Sequence, residues 1–294
     1  MTRSDSDTVG TGTGSTPAAS GPAPDAVTVL YAGAEAPAPG PLAEATGTTV
    51  VTGPRGLSPH LERAGSLGVP LVVIPAGTGR DLTSVTQAAQ ALQWAARSGT
   101  GVVLGPSLAD ATRSIAEMRR HLRAAVSVHG ADSVLFLART VDPFADAELL
   151  RRVRLARQFS EDLEVEVAFE GAWPSPAKAR ERLRLLGARE TVQVRADLAF
   201  PASAGDGAAD ATDDATPLFR ASALATAVGE ASRTALHLLR DHGDDGIADG
   251  LLADHATGFA HSHGDDDHSH SHPHGHGHSH SHSHTHSHSH THHH

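Results

Sequence analysis

The sequence contains no cysteine among its 294 residues. This absence excludes disulfide bonds, thiolate metal sites and iron–sulfur clusters of the cysteine-ligated type. Aromatic residues are also scarce, at 3% of the chain, so the core has to be built mainly from Leu, Val and Ala. The first 26 residues hold no hydrophobic run typical of a signal peptide, and no apolar run approaches the roughly 20 residues that span a bilayer. We therefore expect a cytoplasmic protein with no membrane partner.

Positive charge is in deficit, and the formal net charge of the chain is −11. The densest group of arginines, Arg151, Arg152, Arg154 and Arg157, alternates with the apolar residues of a predicted helix, and we interpret it as the solvated side of that helix. No other stretch forms a basic stripe. The charge balance therefore predicts no nucleic-acid partner.

Apolar strand patterns alternate with single amphipathic helices along most of the chain. Buried strands that are separated by single helices are typical of βαβ units. The sequence therefore predicts an α/β fold with mainly parallel sheets flanked by helices. The predicted strands are Val27–Ala32, Thr48–Thr52, Val69–Pro75, Gly101–Gly105, Ser133–Ala138, Glu164–Phe169 and Thr191–Leu198.

The pattern restarts near residue 131, which indicates an internal duplication. Val50–Gly77 and Val167–Phe200 share the order strand, Gly turn, Ser-Pro, helix, Leu-Gly and strand, and Gly105–Leu122 resembles Ala215–Leu236. The alternative is that any two α/β stretches look alike. We predict two tandem halves, residues 25–130 and 131–242, between a disordered start (1–24) and a linker with a tail (243–294).

Histidine makes up half of the segment His261–His294, and most of these histidines alternate with Ser, Thr or Gly. Neutral imidazole is the commonest protein ligand for divalent zinc, nickel, cobalt and copper, and small spacers allow several rings to reach one ion. A purification tag, which would normally be six consecutive histidines, and a solvated tail without a role are the alternatives. We predict a tail that binds divalent metal ions such as cobalt, nickel or zinc. Its predicted ligands are His261, His263, His268, His270, His272, His274, His276, His278, His280, His282, His284, His286, His288, His290 and His292.

A second candidate site is predicted at the carboxyl ends of the strands, where ligands bind in parallel α/β folds. The loops that follow the first three strands offer Glu35, Arg80 and Asp81 as candidate catalytic residues and His60 as a candidate metal ligand. A carboxylate there can accept a proton or bind a metal, and Arg80 can pair with a substrate carboxylate. The alternative is that these residues are solvated loop charges. The corresponding loops of the second half offer Arg139, Asp142, Glu170 and Asp197.

Three segments resemble a known family. They are VPLVVIPAGTGRDL (Val69–Leu82), GPSLADATRSIAEMRRHL (Gly105–Leu122) and DSVLFLARTVDPFADAELLRRV (Asp132–Val153). Together with two tandem halves and a His-rich end, they are similar to the sirohydrochlorin cobaltochelatases, a family of class II chelatases. The resemblance covers about residues 25–239 and implies a chelatase-like fold. It also implies insertion of cobalt, or in relatives nickel or iron, into a tetrapyrrole on the route to cobalamin.

The chain departs from that family at the loops that handle the metal. Family members carry a histidine in the loop after the first strand and another after the Val-Pro strand, whereas Ala32–Glu35 and Gly77–Arg80 contain none. The family's catalytic residues therefore map onto no position here. The sequence therefore predicts a divergent chelatase that inserts or delivers a divalent metal, with a non-catalytic metal chaperone or store on the same scaffold as the alternative.

Overall fold

The computed structural model describes residues 24–158, 160, 163–200 and 215–257. The predicted disordered start, up to residue 23, and the predicted metal-binding tail at His261–His294 lie outside these residues. So does the Gly- and Asp-rich loop that the sequence predicts over residues 201–216, except for its last two residues, of which Thr216 begins a short strand. Among the helices that are described, none combines the length and the apolar character that crossing a bilayer requires.

The first half forms a four-stranded parallel sheet with the strand order β2-β1-β3-β4. Both faces of this sheet carry helices. Its elements are β1 (Val27–Ala32), α1 (Pro39–Thr46), β2 (Val50–Val51), α2 (Pro54–Leu67), β3 (Leu71–Ala76), α3 (Leu82–Ala95), β4 (Val102–Leu104) and α4 (Ala111–Ser127).

The second half repeats this architecture with the strand order β6-β5-β7-β8, again parallel throughout. The predicted α/β fold class, with two parallel sheets flanked by helices, is therefore confirmed. The elements are β5 (Ser133–Arg139), α5 (Pro143–Arg157), β6 (Glu164–Glu170), α6 (Pro176–Leu185), β7 (Thr191–Arg195), β8 (Thr216–Pro217), α7 (Ala221–His242) and α8 (Ile247–Leu251), followed by a 3₁₀ turn at Ala253–Thr257.

Local sequence explains where these elements form. All six residues of β3 are buried, as expected for a central strand that is covered on both faces. Four helices begin at a side chain that accepts a hydrogen bond from a backbone N–H of the first turn, which satisfies one of the unpaired donors there. These capping residues are Asp81, Asp110, Asp142 and Ser175.

The last helix of each half packs against the other half. α4 lies along α5, and α7 packs on α1, β3 and β4. Buried apolar residues from both sheets, such as Ile74 and Phe136, consequently belong to one continuous core together with Met118 and Leu224. The described residues therefore form one compact unit.

The arginine-rich face of α5 differs from the prediction. Arg152 is 2% exposed, because its Nη1 donates to the carbonyl oxygen of Thr78 at 2.8 Å and its Nε donates to Glu148 at 2.8 Å. The prediction of a solvated side was therefore wrong at Arg152. Its hydrogen-bond partner Thr78 lies in the first half, and α5 packs against that half.

Residues 243–257, which we predicted as the start of a linker, pack onto the first half. α8 lies against α3, and the N–H of Leu104 on the edge strand β4 donates to the carbonyl oxygen of Asp245 at 2.8 Å. A Cβ on Gly250 would lie 2.3 Å from Cδ2 of Leu104, so only glycine allows this approach. The packed unit therefore extends to Thr257 rather than ending at His242.

Candidate functional site

The loops after β1 and β3 meet at the carboxyl end of the first sheet. β1 and β3 are hydrogen-bonded neighbours in the sheet, although β2 lies between them in the chain. Such a reversal of strand order is where ligands bind in open α/β sheets. The structure brings Glu35 and Arg80 together at this point and places Asp81 beside them.

Glu35 is completely buried, and both of its carboxylate oxygens are engaged. Oε2 accepts from the backbone N–H of Thr78 at 2.8 Å, while Oε1 accepts from the Thr78 hydroxyl at 2.5 Å and from Nε of Arg80 at 2.9 Å. A Cβ on Gly77 would lie only 2.8 Å from Oε2, so glycine is required for this close approach of the carboxylate. The Glu35 carboxylate is thus held as an acceptor inside the protein.

Arg80 joins the two halves through the remaining donors of its guanidinium. Nη1 lies 3.0 Å from Oδ1 of Asp146 on α5, and Nη2 donates to the carbonyl oxygen of Arg139 at 2.9 Å. Asp146 also accepts from the hydroxyl of Thr140 at 2.6 Å. With Nε bound to Glu35, all three nitrogens of Arg80 have protein partners, and its side chain has no exposed surface.

Asp81 is the N-cap residue of α3. Its carboxylate accepts from the N–H of Ser84 at 3.0 Å, from the Ser84 hydroxyl and from the N–H of Ala34 at 2.9 Å. A Cβ on Gly33 would collide with Ser84, so the loop after β1 needs glycine there. Asp81 therefore fastens the loop after β1 to the loop after β3.

The second half uses a corresponding device. Asp197, which follows β7, accepts from the N–H of Arg139 at the end of β5 at 2.7 Å and from Arg195 at 2.6 Å. Arg195 also binds Glu170. Burial acts to lower the pKa of Arg195, but Asp197 and then Glu170 outweigh it and raise the pKa above its usual range. The carboxylates of this half are thus committed to pairs, as is Asp142 to the cap of α5.

The candidate residues are consequently not solvated loop charges. Glu35, Arg80 and Asp81 are 0%, 3% and 5% exposed. The alternative that treated them as loop charges in water is wrong. The reason is that each has partners from another loop or from the other half, and these partners replace the water.

His60 does not lie in the loop after β2. Since α2 begins at Pro54, with proline in the first turn, His60 is half-buried well inside the helix. In the described part of the chain, no three His, Asp or Glu side chains gather closely enough to hold a metal ion. The metal that the family resemblance implies for these loops therefore does not fit the residues that are present.

A pocket of about 460 Å³ opens beside Gly79, between the loop after β3 and helix α5. Glu148 accepts from Arg151 at 2.6 Å and from Arg152 at 2.8 Å. Both arginines in the wall of the pocket are therefore paired with Glu148. Hydrogen bonding from Arg151, and then from Arg152, lowers the pKa of Glu148 against the effect of its burial. The lining residues are Gly79, Arg80, Leu82, Phe144, Ala145, Ala147, Glu148, Arg151 and Arg152.

Sequence reasoning missed the partners that complete this site. Thr78, Asp146 and Arg152 each supply a buried contact, yet none belongs to a recognisable motif. Asp146 is 66 positions from Arg80 along the chain, and no local pattern links them.

Comparison with protein-family models and with curated proteins finds no match to this chain.

Proposed function

We propose that this protein binds divalent metal ions through His261–His294 and acts as a carrier or store of metal. The observation that carries the proposal is the state of Glu35. This carboxylate, the first candidate for a base, is fully buried and accepts three hydrogen bonds from Thr78 and Arg80.

Metal insertion into a tetrapyrrole needs a base within hydrogen-bond reach of a pyrrole N–H. Glu35 would have to leave both Arg80 and Thr78 to act in this way, which would break three buried hydrogen bonds, one of them part of an ion pair. Asp81 would have to leave the N-cap of α3 and release the loop after β1. These contacts favour a scaffold over a catalytic site.

The chemistry of the tail supports metal binding directly. Its histidines recur at every second position over most of its length, so several imidazoles can converge on one ion. Affinity at nitrogen sites alone would rank copper and nickel above cobalt. The cargo that the tail carries would therefore depend on which ion the surroundings supply.

A second candidate function is a divergent sirohydrochlorin chelatase that delivers cobalt, nickel or iron into a tetrapyrrole for cobalamin biosynthesis. The pocket beside Gly79 favours it, because the side chain of Arg151 is 59% exposed there and Phe144 is 49% exposed. An aromatic ring suits a flat macrocycle, and Arg151 could bind a substrate carboxylate if that carboxylate replaced or shared its present partner Glu148.

Two measurements separate these functions. Calorimetric titration with nickel and with cobalt compares the full chain with a variant that ends at Gly258, and a matched full-length variant carries serine in place of every histidine from His261 onward. We expect several ions per full chain and far fewer in both variants. Equal stoichiometry in all three proteins would contradict the carrier proposal.

The second measurement follows the absorbance of sirohydrochlorin with cobalt, nickel or iron, with and without the full chain. A carrier should leave the rate of insertion at the protein-free value. Acceleration that disappears in Phe144→Ala and Arg151→Ala variants would support the chelatase instead and would place its substrate in the pocket beside Gly79.

A further inference from the structure

A separate pocket of about 360 Å³ lies between α2 and α3, on the face of the first sheet opposite α1 and α7. Its volume is at the lower end of the roughly 300–1,000 Å³ that small-molecule sites have. The lining is mostly apolar and includes no charged side chain. It includes Tyr31 from β1, Leu57 and Ser58 from α2, and Gln87, Ala91 and Trp94 from α3.

Tyr31 supplies the polar group at the base of this pocket. It projects from β1, is 3% exposed, and is the single tyrosine of the chain. Its side chain lines the open volume, so the phenol can donate a hydrogen bond to a molecule that enters the pocket. A phenol on the wall of an otherwise largely apolar pocket is suited to a ligand that supplies one hydrogen-bond acceptor.

The rim of the pocket has a different character. Trp94 on α3 is 69% exposed and contributes its indole to the lining. Ser58, Gln87 and Gln90 are exposed neutral hydrogen-bonding groups around it. Since nothing in the lining can neutralise a charge, burying an ion here would cost several kcal/mol of lost hydration.

We infer that this pocket binds an uncharged, largely aromatic small molecule with one hydrogen-bonding group, which accepts from the hydroxyl of Tyr31 while its ring packs on Leu57, Ala91 and Trp94. Burial also raises the pKa of Tyr31, so the phenol stays protonated as a donor. This inference does not depend on metal binding, because none of the lining residues is a histidine or a carboxylate.

The test uses 2-naphthol as a neutral aromatic probe and 2-naphthoate as its anionic counterpart, each titrated into the full chain by calorimetry. We expect saturable one-to-one binding of 2-naphthol and at least about 10-fold weaker binding of 2-naphthoate, since a tenfold ratio corresponds to only 1.4 kcal/mol. Absence of saturable binding by 2-naphthol, or equal binding of the two probes, would overturn the inference.

Three variants locate the site. Tyr31→Phe keeps the ring and removes the donor, so binding of 2-naphthol should weaken roughly 3- to 10-fold. Ala91→Leu extends a side chain into the open volume and should abolish binding, whereas Leu185→Ala, at an exposed position of the second half, should leave it unchanged. Unchanged binding in the folded Ala91→Leu variant would show that the probe binds elsewhere and would refute the site.

Discussion

Nη1 of Arg80 lies 3.0 Å from Oδ1 of Asp146, which joins the loop after β3 in the first half to helix α5 in the second. The same guanidinium binds Glu35 through Nε, so one cation links two carboxylates that come from different halves. A buried ion pair stabilises a protein little relative to apolar residues of similar volume, but removal of one partner strands the other. Replacing one partner should therefore destabilise the protein more than replacing both, and this difference can be measured.

Arg80→Ala should lower the free energy of unfolding by roughly 3–5 kcal/mol, because Glu35 would be left buried without its cation. Urea denaturation of the metal-free protein measures this loss. The double variant Glu35→Met, Arg80→Met should lose less than Arg80→Ala alone, since it also removes the buried charge of Glu35 and retains volume, while Asp146 loses its cation in both variants. The matched control is Arg113→Ala, whose pair with Glu230 is 43% and 46% exposed and should contribute at most about 1 kcal/mol. A loss at Arg80 no larger than at Arg113 would show that the burial of the pair is not energetically important.

The central strands were predictable because they are continuous apolar runs bounded by turn residues. β1 has the bounds that the sequence indicated, and β5 differs from them only by the inclusion of Arg139. The start of α2 was not predictable in this way. Ser58-Pro59 has the sequence typical of a helix start, whereas Pro54 already occupies the first turn of α2. Helix α8 escaped prediction because its packing depends on the absence of a side chain at Gly250, which no apolar periodicity reports.

The position of the candidate site was predictable, but the burial of its residues and their hydrogen-bond partners were not. The order of strands places Glu35 and Arg80 at the same end of the sheet, and the structure brings them within 2.9 Å. Whether such residues face water or each other depends on distant residues, here Asp146, and the sequence does not indicate that α5 closes over them.

His121 should make the stability of the folded unit depend on pH. The side chain is 6% exposed on α4, and desolvation lowers its pKa below 6.5 against the opposing effect of the Leu218 carbonyl, while Arg120 lowers it further and Glu117 raises it. Between the lowered pKa and 6.5 the unfolded chain binds a proton that the folded chain does not, so stability falls as the pH falls through this window.

The measurement is the urea midpoint at a series of pH values for a chain that ends at Gly258, which removes the titrating histidines of the tail. His121→Gln should lose less stability than the parent over this window, and His237→Gln, at a position whose side chain is 64% exposed, should behave as the parent does. Parallel pH curves for the parent and His121→Gln would contradict the assignment.

Metal binding by His261–His294 should weaken as the pH falls through about 6.5, since an imidazole that is free in water titrates there and its protonated form cannot ligate. Nickel titrations of the full chain on both sides of this value measure the effect. The variant with serine at every tail histidine is the control for carboxylate sites elsewhere. Binding that is as strong about one pH unit below as above would show that carboxylates, such as those of Asp265–Asp267, rather than imidazoles hold the ion.

Two truncations should separate the tail from the packed C-terminal segment. A chain that ends at Gly258 loses Phe259 and Ala260 but otherwise no Val, Leu, Ile, Met, Phe, Tyr or Trp, so this removal should leave the melting temperature of the metal-free protein nearly unchanged. A chain that ends at His242 also loses α8, in which Ile247 is 6% exposed, and the acceptor that Asp245 provides for Leu104. Burial of one isoleucine and one hydrogen bond together account for about 3 kcal/mol, which corresponds to a fall of roughly 6–12 °C in a domain of this size. Scanning calorimetry with a chelator present measures both variants against the parent.

A fall of several degrees on removal of the tail alone would mean that the tail docks on the fold. An unchanged melting temperature for the chain ending at His242 would mean that residues 243–257 are the linker that the sequence first suggested.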